Sequence, residues 1–429
     1  MILIHGKLRE NHEQSAVING IRADLQATLS RGNFPRPETV MAACDALLGR
    51  VLAGEFDDIV LPLIEQFDIS YERFREMAQL FSAKSLKKKC RVELGDLYSL
   101  NDKENRIGAD ASGTAVRRRY PLGVLLHIAA GNVDGLPAYS VVEGLLAGNI
   151  NILKLPMGDS GLSVKLLSEL IACEPSLADY IYVFDVPSTE TETLKRLADE
   201  ANAVVVWGGD MAVQAARSMA DVTTKIISWG HKLSFAYVTP TATDEELHAL
   251  ARHICETGQV LCSSCQGIYL DTDDRAVQMA FAEHFFNILR EVSDASRPVD
   301  FGMRAKNAIH IYNERLEAHE TGHVIFSGGG VSVIASDDNE LTLSYMFRNL
   351  WVKRLPRERM MAAIQPHKDH LQTAALLCAD EERAVLAELL ARTGISRITR
   401  AGDMSRMLCG EAHDGVYPLR LYSRVVEVD

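Results

Sequence analysis

The sequence predicts an α/β protein with doubly wound parallel sheets, divided into two domains of ordinary size. Three observations lead there. The chain has 429 residues, too many for one small core. Its composition, 47% hydrophobic and 24% charged, is that of a globular protein. From residue 123 onward, short continuous apolar runs alternate with segments of helical period, the mark of parallel strands covered on both faces.

Taken in order, residues 1 to about 105 read as amphipathic helices separated by polar breaks. Apolar positions recur at helical spacing over Ala16–Ser30, Pro37–Ala53 and Tyr71–Ser82. The texture changes at Gly113: Thr114–Tyr120 reads as an exposed strand and Gly123–Ala130 as a buried one. Further strands are expected at Asn149–Lys154, Tyr180–Asp185, Ala203–Trp207 and Thr224–Ser228. Helices at Val141–Ala147, Ser160–Ala172, Thr191–Ala201 and Met211–Met219 separate them. A second α/β segment carries strands at Phe235–Val238, Gly267–Leu270, Val331–Ala335 and Leu350–Leu355, with helices at Asp244–Thr257, Arg275–Arg290 and 380–393. Ser327-Gly328-Gly329-Gly330 reads as a hairpin or loop rather than a phosphate cradle, because no helix opens behind it. The last segment, 410–429, has a strand pattern after His413-Asp414-Gly415.

A net charge of −13 argues against nucleic acid as a partner, since phosphate binding needs a basic surface. The short basic runs Lys87-Lys88-Lys89 and Arg117-Arg118-Arg119 read as solvated faces, or as ribbon positions at a subunit contact. No stretch approaches the ~18 unbroken apolar residues of a membrane helix. Met1–Arg9 lacks signal-peptide architecture, so a cytoplasmic protein without a membrane span is expected. The eight cysteines (44, 90, 173, 255, 262, 265, 378, 409) show no disulfide framework, which suits a reducing compartment. Cys262-Ser-Ser-Cys265 has the spacing of a redox motif or half a zinc site. With no second close Cys/His pair to complete a tetrahedral set, no metal is expected.

The most informative stretch is Gly258-Gln259-Val260-Leu261-Cys262-Ser263-Ser264-Cys265-Gln266. It sets Cys262 between a helix and an apolar strand. A thiol at such a junction can face a cleft, attack a carbonyl and hold the acyl group as a thioester. Burial as an inert core thiol is the competing reading, because free cysteine is among the most buried residue types.

Four segments together resemble the aldehyde dehydrogenase superfamily. Within it the chain is most similar to the acyl-CoA reductase branch, which includes the long-chain fatty acyl-CoA reductases of bacterial luminescence. They are 120–132 (Tyr-Pro-Leu-Gly-Val-Leu-Leu-His-Ile-Ala-Ala-Gly-Asn), 141–156 (Val-Val-Glu-Gly-Leu-Leu-Ala-Gly-Asn-Ile-Asn-Ile-Leu-Lys-Leu-Pro), 262–266 (Cys-Ser-Ser-Cys-Gln) and 413–418 (His-Asp-Gly-Val-Tyr-Pro). The first hundred residues match only loosely. The resemblance implies an aldehyde-dehydrogenase-like fold in three parts. Residues 1–238 would hold the N-terminal and NAD(P)-binding domain of Rossmann type, with a bridging strand near 113–120. Residues 239–409 would be the α/β catalytic domain carrying the nucleophilic cysteine, and 410–429 a strand tail for oligomerisation as a homodimer or tetramer.

The reaction it implies is reduction of an acyl-CoA or acyl-carrier thioester, a fatty acyl one above all, to the aldehyde through an acyl-Cys262 intermediate. Asn132 matches the family's side-chain donor to the oxyanion, with the Cys262 backbone N–H as the second; otherwise Gly131-Asn132 is simply a turn-favouring pair. Lys154 matches the position that reaches the adenosine ribose or its phosphate. Gly208 and Gly209, between a strand and a helix, are placed to approach a pyrophosphate, or else form an ordinary strand-to-helix turn. Met157 stands where NAD-preferring relatives carry an acid, which favours NADPH, while Asp159 leaves NADH open.

The chain also departs from the pattern. Ser228 occupies the place of the glutamate base that hydrolyses the acyl-enzyme in aldehyde-oxidising relatives, so release of a free acid is disfavoured. His231 and Glu256 are the nearest substitute bases, and either is as readily structural. Cys265 replaces a usual proline and is expected to pack inertly, with a regulatory disulfide to Cys262 as the alternative. His127 is expected to be a satisfied core histidine. Two rival functions share these residues: a CoA-acylating aldehyde dehydrogenase working oxidatively, and a non-catalytic acyl-binding or acyl-transferring subunit of a complex with a partner protein.

Overall fold

The computed structural model describes residues 1–66, 70–95, 106–107, 115–131 and 134–428. They form two compact units, Met1–Gly230 with Met407–Asp429, and His231–Arg406. The division falls after Gly230 rather than after 238, and the 407–429 segment belongs with the first unit.

The first unit is built on β1 (Ile2–Ile4), β2 (Lys7–Arg9), β5 (Val124–Ile128), β6 (Ile150–Lys154), β7 (Ile181–Phe184), β8 (Ala203–Trp207) and β9 (Lys225–Trp229). Between β2 and β5 in the chain come β3 (Arg106–Ile107) and β4 (Ala115–Pro121). The main sheet has the order β2-β1-β7-β6-β5-β8-β9. From β7 to β9 it is wholly parallel, with the order reversing at β5 and β8, as in a doubly wound nucleotide-binding sheet. Strands β5, β6, β7 and β8 are buried throughout their middles, which explains the unbroken apolar runs.

The N-terminal hairpin was not legible as strand. Its two strands are three residues long, too short to display a period, and only pairing of β1 to the edge of β7 gives them a place. The turn between them, His5-Gly6, takes positive φ at both residues (49° and 70°), as a two-residue hairpin of primed type demands.

The second unit carries β10 (Leu233–Val238), β11 (Cys265–Leu270), β12 (Val324–Gly328), β13 (Val331–Ser336), β14 (Asn349–Arg354), β15 (Leu371–Leu377) and β16 (Arg397–Thr399). They are ordered β12-β13-β14-β11-β10-β15-β16. All pairs are parallel except the β12–β13 hairpin, which turns through the Gly328–Gly330 run. Separate apolar clusters cover its two faces. A third, small sheet in the first unit joins β17 (Ser423–Val428), β4 and β3, each pair antiparallel.

The basic runs need correction at two residues. Lys87 and Lys88 are exposed, but Lys89 is 6% exposed and held between Glu93 (2.5 Å) and Glu143 (2.8 Å). Helix Ala83–Leu94 turns its 86, 89, 90, 93 and 94 positions inward, so the third lysine of the run falls on the buried face. Arg119 likewise is 3% exposed, with its guanidinium donating to the Ala147 carbonyl at 2.9 Å.

His127, in the middle of β5, is a satisfied core histidine. Asn151 donates through Nδ2 to the Asn149 carbonyl (2.8 Å), which turns its Oδ1 toward His127 Nε2 at 3.0 Å. Nε2 therefore carries the proton, and Nδ1 accepts from Ser140 Oγ at 2.7 Å, while Ser140 accepts in turn from the Trp207 indole at 3.2 Å. Burial pushes the imidazolium down to a pKa of about 4. The unfolded chain takes up a proton here near pH 6.5 and the folded chain only near 4. The stability contribution is therefore complete above 6.5 and lost as pH falls through that window, on the order of 3 kcal/mol in all. In urea titrations wild type should lose this contribution between pH 7 and pH 4 while His127→Asn does not, so any wild-type advantage shrinks on acidification. Parallel curves would refute the assignment.

Candidate active site

The carboxyl ends of β5, β6 and β8 lie side by side on one edge of the first sheet, spanning the point where strand order reverses. Ligands of open α/β sheets bind at such an edge, because the loops there diverge and leave a crevice. Lys154 ends β6, 3% exposed; its ammonium donates to Ser188 Oγ at 3.1 Å, and burial lowers its pKa against the opposing pull of Asp185. Gly131, which follows β5, lies against the residues after Lys154. A Cβ on it would stand 3.2 Å from Pro156 Cβ.

After β8, Gly208 donates its N–H to the Trp229 carbonyl (3.1 Å), and a side chain there would come within 3.0 Å of Ala212. Gly209 caps helix Asp210–Met219, and the space above its Cα is open for 4 Å. These are the properties a backbone needs where a phosphate approaches a helix N-terminus closely. Asn132 lies outside the described residues. Met157 is 93% exposed, and Asp159 accepts from the Gly161 N–H at 2.8 Å, with its pKa raised by burial.

Sequence reasoning passed over an aromatic cluster at the same edge. Trp207, Trp229 and His413 pack with ring centroids 4.9–5.4 Å apart. Tryptophan at two strand ends beside a Gly-Gly turn was the available signal. Ser228, between buried Ile227 and Trp229, is exposed.

The second unit positions Cys262. Helix Asp244–Thr257 begins with a capping box between Thr243 and Glu246, places three acids in its first turn, and stops at Gly258 in the left-handed conformation. A tight turn follows, closed by the Ser264 N–H to the Leu261 carbonyl (2.9 Å) and by Leu261 N–H to Ser264 Oγ (3.1 Å). Cys262 sits in it, exposed, at the amino end of β11. Its carbonyl accepts from Ser234 Oγ at 2.7 Å, and that oxygen accepts from Thr373 N–H at 3.0 Å, which fixes the turn to β10 and β15. An exposed thiol on an anchored turn is the geometry a nucleophile requires.

Cys265 is different. It is fully buried in β11, its thiol donates to the Gly267 carbonyl, and desolvation pushes its pKa up to about 12. Its N–H meets His253 Nε2 at 3.4 Å, so that buried histidine offers a lone pair. His231 stacks on His370 with centroids 4.5 Å apart, and Glu256 is an exposed residue of a groove shared with His248, Arg252 and Glu291.

A model of the acyl-CoA reductase (LuxC) family matches residues 55–425. The chain belongs to the acyl-CoA reductase family. The chain is thus an acyl reductase, an oxidoreductase. Similar proteins include the long-chain acyl-protein thioester reductases of Aliivibrio fischeri (24% identical, 78% of this chain and 68% of that one) and Vibrio harveyi (25%, 73% and 66%). About a third of each relative's length lies outside the match. Among solved structures, the NAD-dependent benzaldehyde dehydrogenase of Corynebacterium glutamicum superposes with a TM-score of 0.68 at 13% identity, over 96% of this chain and 90% of that one. Proline utilization A of Bradyrhizobium japonicum gives 0.74 at 14% identity, over 98% of this chain and 45% of that one. The fold of the chain is that of an aldehyde dehydrogenase. Among the described residues no helix is long and apolar enough to cross a membrane.

Proposed function

We propose that this protein reduces a long-chain acyl thioester to the aldehyde, with Cys262 as nucleophile and a nicotinamide cofactor held at the carboxyl edge of the first sheet. The observation that carries this reading is the contrast between the two cysteines of the 262–265 motif. One is exposed on an anchored turn; the other is sealed, protonated and unreactive.

In the proposed reaction the Cys262 thiolate adds to the thioester carbonyl, the carbon–sulfur bond to the donor breaks, and the donor thiol leaves with a proton. Asn132 and the Cys262 N–H stabilise the oxyanion of each tetrahedral species, a donor of this kind being worth about 3 kcal/mol. The cofactor, when bound, supplies the hydride. The resulting thiohemiacetal on Cys262 loses the aldehyde and restores the thiolate. Ser228 has no carboxylate with which to activate water, so the acyl-enzyme awaits hydride rather than hydrolysis.

The residues at the first sheet's edge fit a dinucleotide: Lys154 for the adenosine ribose or its phosphate, Gly208 and Gly209 for the pyrophosphate. The solved NAD-dependent neighbour supports a nicotinamide. Solvent-exposed Met157 leaves the ribose 2′ position uncontested by an acid, while Asp159 is occupied with the Gly161 N–H; we therefore assign NADPH. The donor is acyl-CoA or an acyl-bearing protein, the latter being what the relatives' names specify. The small sheet of β17, β4 and β3 is the proposed subunit contact of a dimer or tetramer.

The test is spectrophotometric. A long-chain acyl-CoA should drive NADPH oxidation, with one free thiol and one aldehyde released per NADPH. Met157→Glu should shift the NADPH/NADH preference about tenfold toward NADH, the effect of roughly 1.4 kcal/mol between two charges. Absence of thioester-dependent oxidation with either cofactor would sink the reading.

A further inference from the structure

Two glutamines bracket the nucleophile turn. Gln259 is 1% exposed and Gln266 is 3% exposed, so each amide must find all its partners inside the protein. Gln259 does so with φ at +63°, a left-handed conformation that a non-glycine residue keeps only when its surroundings impose it. Its Oε1 accepts from the N–H groups of Arg348 (2.9 Å) and Asn349 (3.2 Å). Its Nε2 donates to the Cys265 carbonyl (2.9 Å) and approaches Ser344 Oγ at 3.3 Å. With two donors fixing the oxygen and a carbonyl fixing the nitrogen, the amide has one possible orientation.

Gln266 repeats the pattern from the other side. Its Nε2 donates to the Gln259 carbonyl (2.9 Å), and its Oε1 accepts from Ser344 through both Oγ (2.8 Å) and N–H (3.3 Å). Ser344 thus joins the two amides and also receives the Met346 N–H at 3.0 Å. The segment they grip is itself contorted: Met346, Phe347 and Arg348 all have positive φ (57°, 48° and 71°). Phe347 N–H reaches back to the Gly258 carbonyl at 3.0 Å.

We infer that the Gln259–Ser344–Gln266 network is the positioning device of Cys262, holding the ends of its turn against a left-handed segment so that the thiol is presented at one fixed place. The inference rests on the reading of Cys262 as nucleophile. Neither glutamine touches a reacting atom; both act through the turn. Between the pinned ends, the Ser234 hydroxyl holds the Cys262 carbonyl from below.

The experiment compares wild type with Gln266→Leu and Ser344→Ala. Three quantities are read: kcat and KM for acyl-CoA reduction, the rate of iodoacetamide alkylation at Cys262 followed by peptide mass spectrometry, and near-UV circular dichroism. A displacement of about 1 Å at the reacting atom costs on the order of 100-fold in rate. Gln266→Leu should therefore lower kcat by about 100-fold and Ser344→Ala by about tenfold, with KM within twofold and an altered alkylation rate, while the circular dichroism is retained. A folded variant whose kcat and Cys262 alkylation both stay within twofold of wild type overturns the inference. Should Gln266→Leu fail to fold, Ser344→Ala, which leaves both glutamines in place, decides alone. If wild type reduces no thioester, the functional reading fails, but alkylation still reports whether the network sets the thiol's presentation.

Discussion

Cys262→Ala should lower thioester-dependent NADPH oxidation by about 10⁴-fold or more, the order of loss seen when a covalent nucleophile is removed from a hydrolase. The expectation is large because the neighbouring thiols cannot take its place. Cys265 is buried and protonated, and Cys255 is buried with a raised pKa. Long-chain acyl-CoA incubated without cofactor should add one acyl group to wild type, on the peptide containing residue 262, and none to the variant. Oxidation of NADPH by Cys262→Ala in step with thioester loss would remove the nucleophile assignment altogether. The rival of a non-catalytic acyl-transferring subunit predicts something else: normal acylation of wild type, with no response to cofactor.

The second large effect concerns stability. Lys89 is the only cation within salt-bridge distance of either Glu93 or Glu143 among the described residues, and all three are nearly or wholly buried. Glu93 also accepts the Leu419 N–H at 2.9 Å, which ties the C-terminal segment of the chain to helix Ala83–Leu94. Removing one partner of a buried ion pair typically costs about 3–5 kcal/mol, since the charge left behind is unsolvated. Lys89→Met should cost that much at pH 7 by urea denaturation.

The sign of its pH dependence follows. Burial already raises the Glu93 pKa, and without the ammonium the folded state binds more protons than the unfolded one. Stability of the variant then falls as pH rises above the unfolded glutamate value, so the deficit shrinks on acidification toward about 4.5. A loss below roughly 1 kcal/mol at pH 7 would mean that the site is not the ion cluster described.

How far the chain could be read in advance depended on element type. Strands buried on both faces, such as β5, β6 and β8, announce themselves by apolar continuity, and their carboxyl ends placed Lys154 and Gly208 on one edge without coordinates. The exposure of Cys262 agrees with its place in a turn between a helix stop and a buried strand. The helix Phe301–Thr321 and the interior strand β15 were not legible. The helix buries only Asn307 and Ile311 and exposes Phe301, Ile309, Tyr312 and Leu316, so its period points the wrong way. β15 lies directly behind a turn holding His367, Lys368 and His370, whose polarity masks the seven buried residues that follow. The Gln259–Gln266 network was invisible for another reason. Its third member is some eighty residues away, and no spacing rule connects a serine in a loop to two amides in a turn.

The hydrogen bond from Cys265 to its own strand's backbone has a chemical corollary. A sulfenic acid formed at position 262 finds its nearest sequence neighbour locked as a thiol inside β11, available only if the strand is unpicked. A disulfide to that neighbour is therefore closed, and small thiols from outside remain a route of rescue before oxidation climbs to the irreversible sulfinic state. With Cys262 as the proposed nucleophile, prolonged peroxide exposure should inactivate permanently rather than serve reversible control.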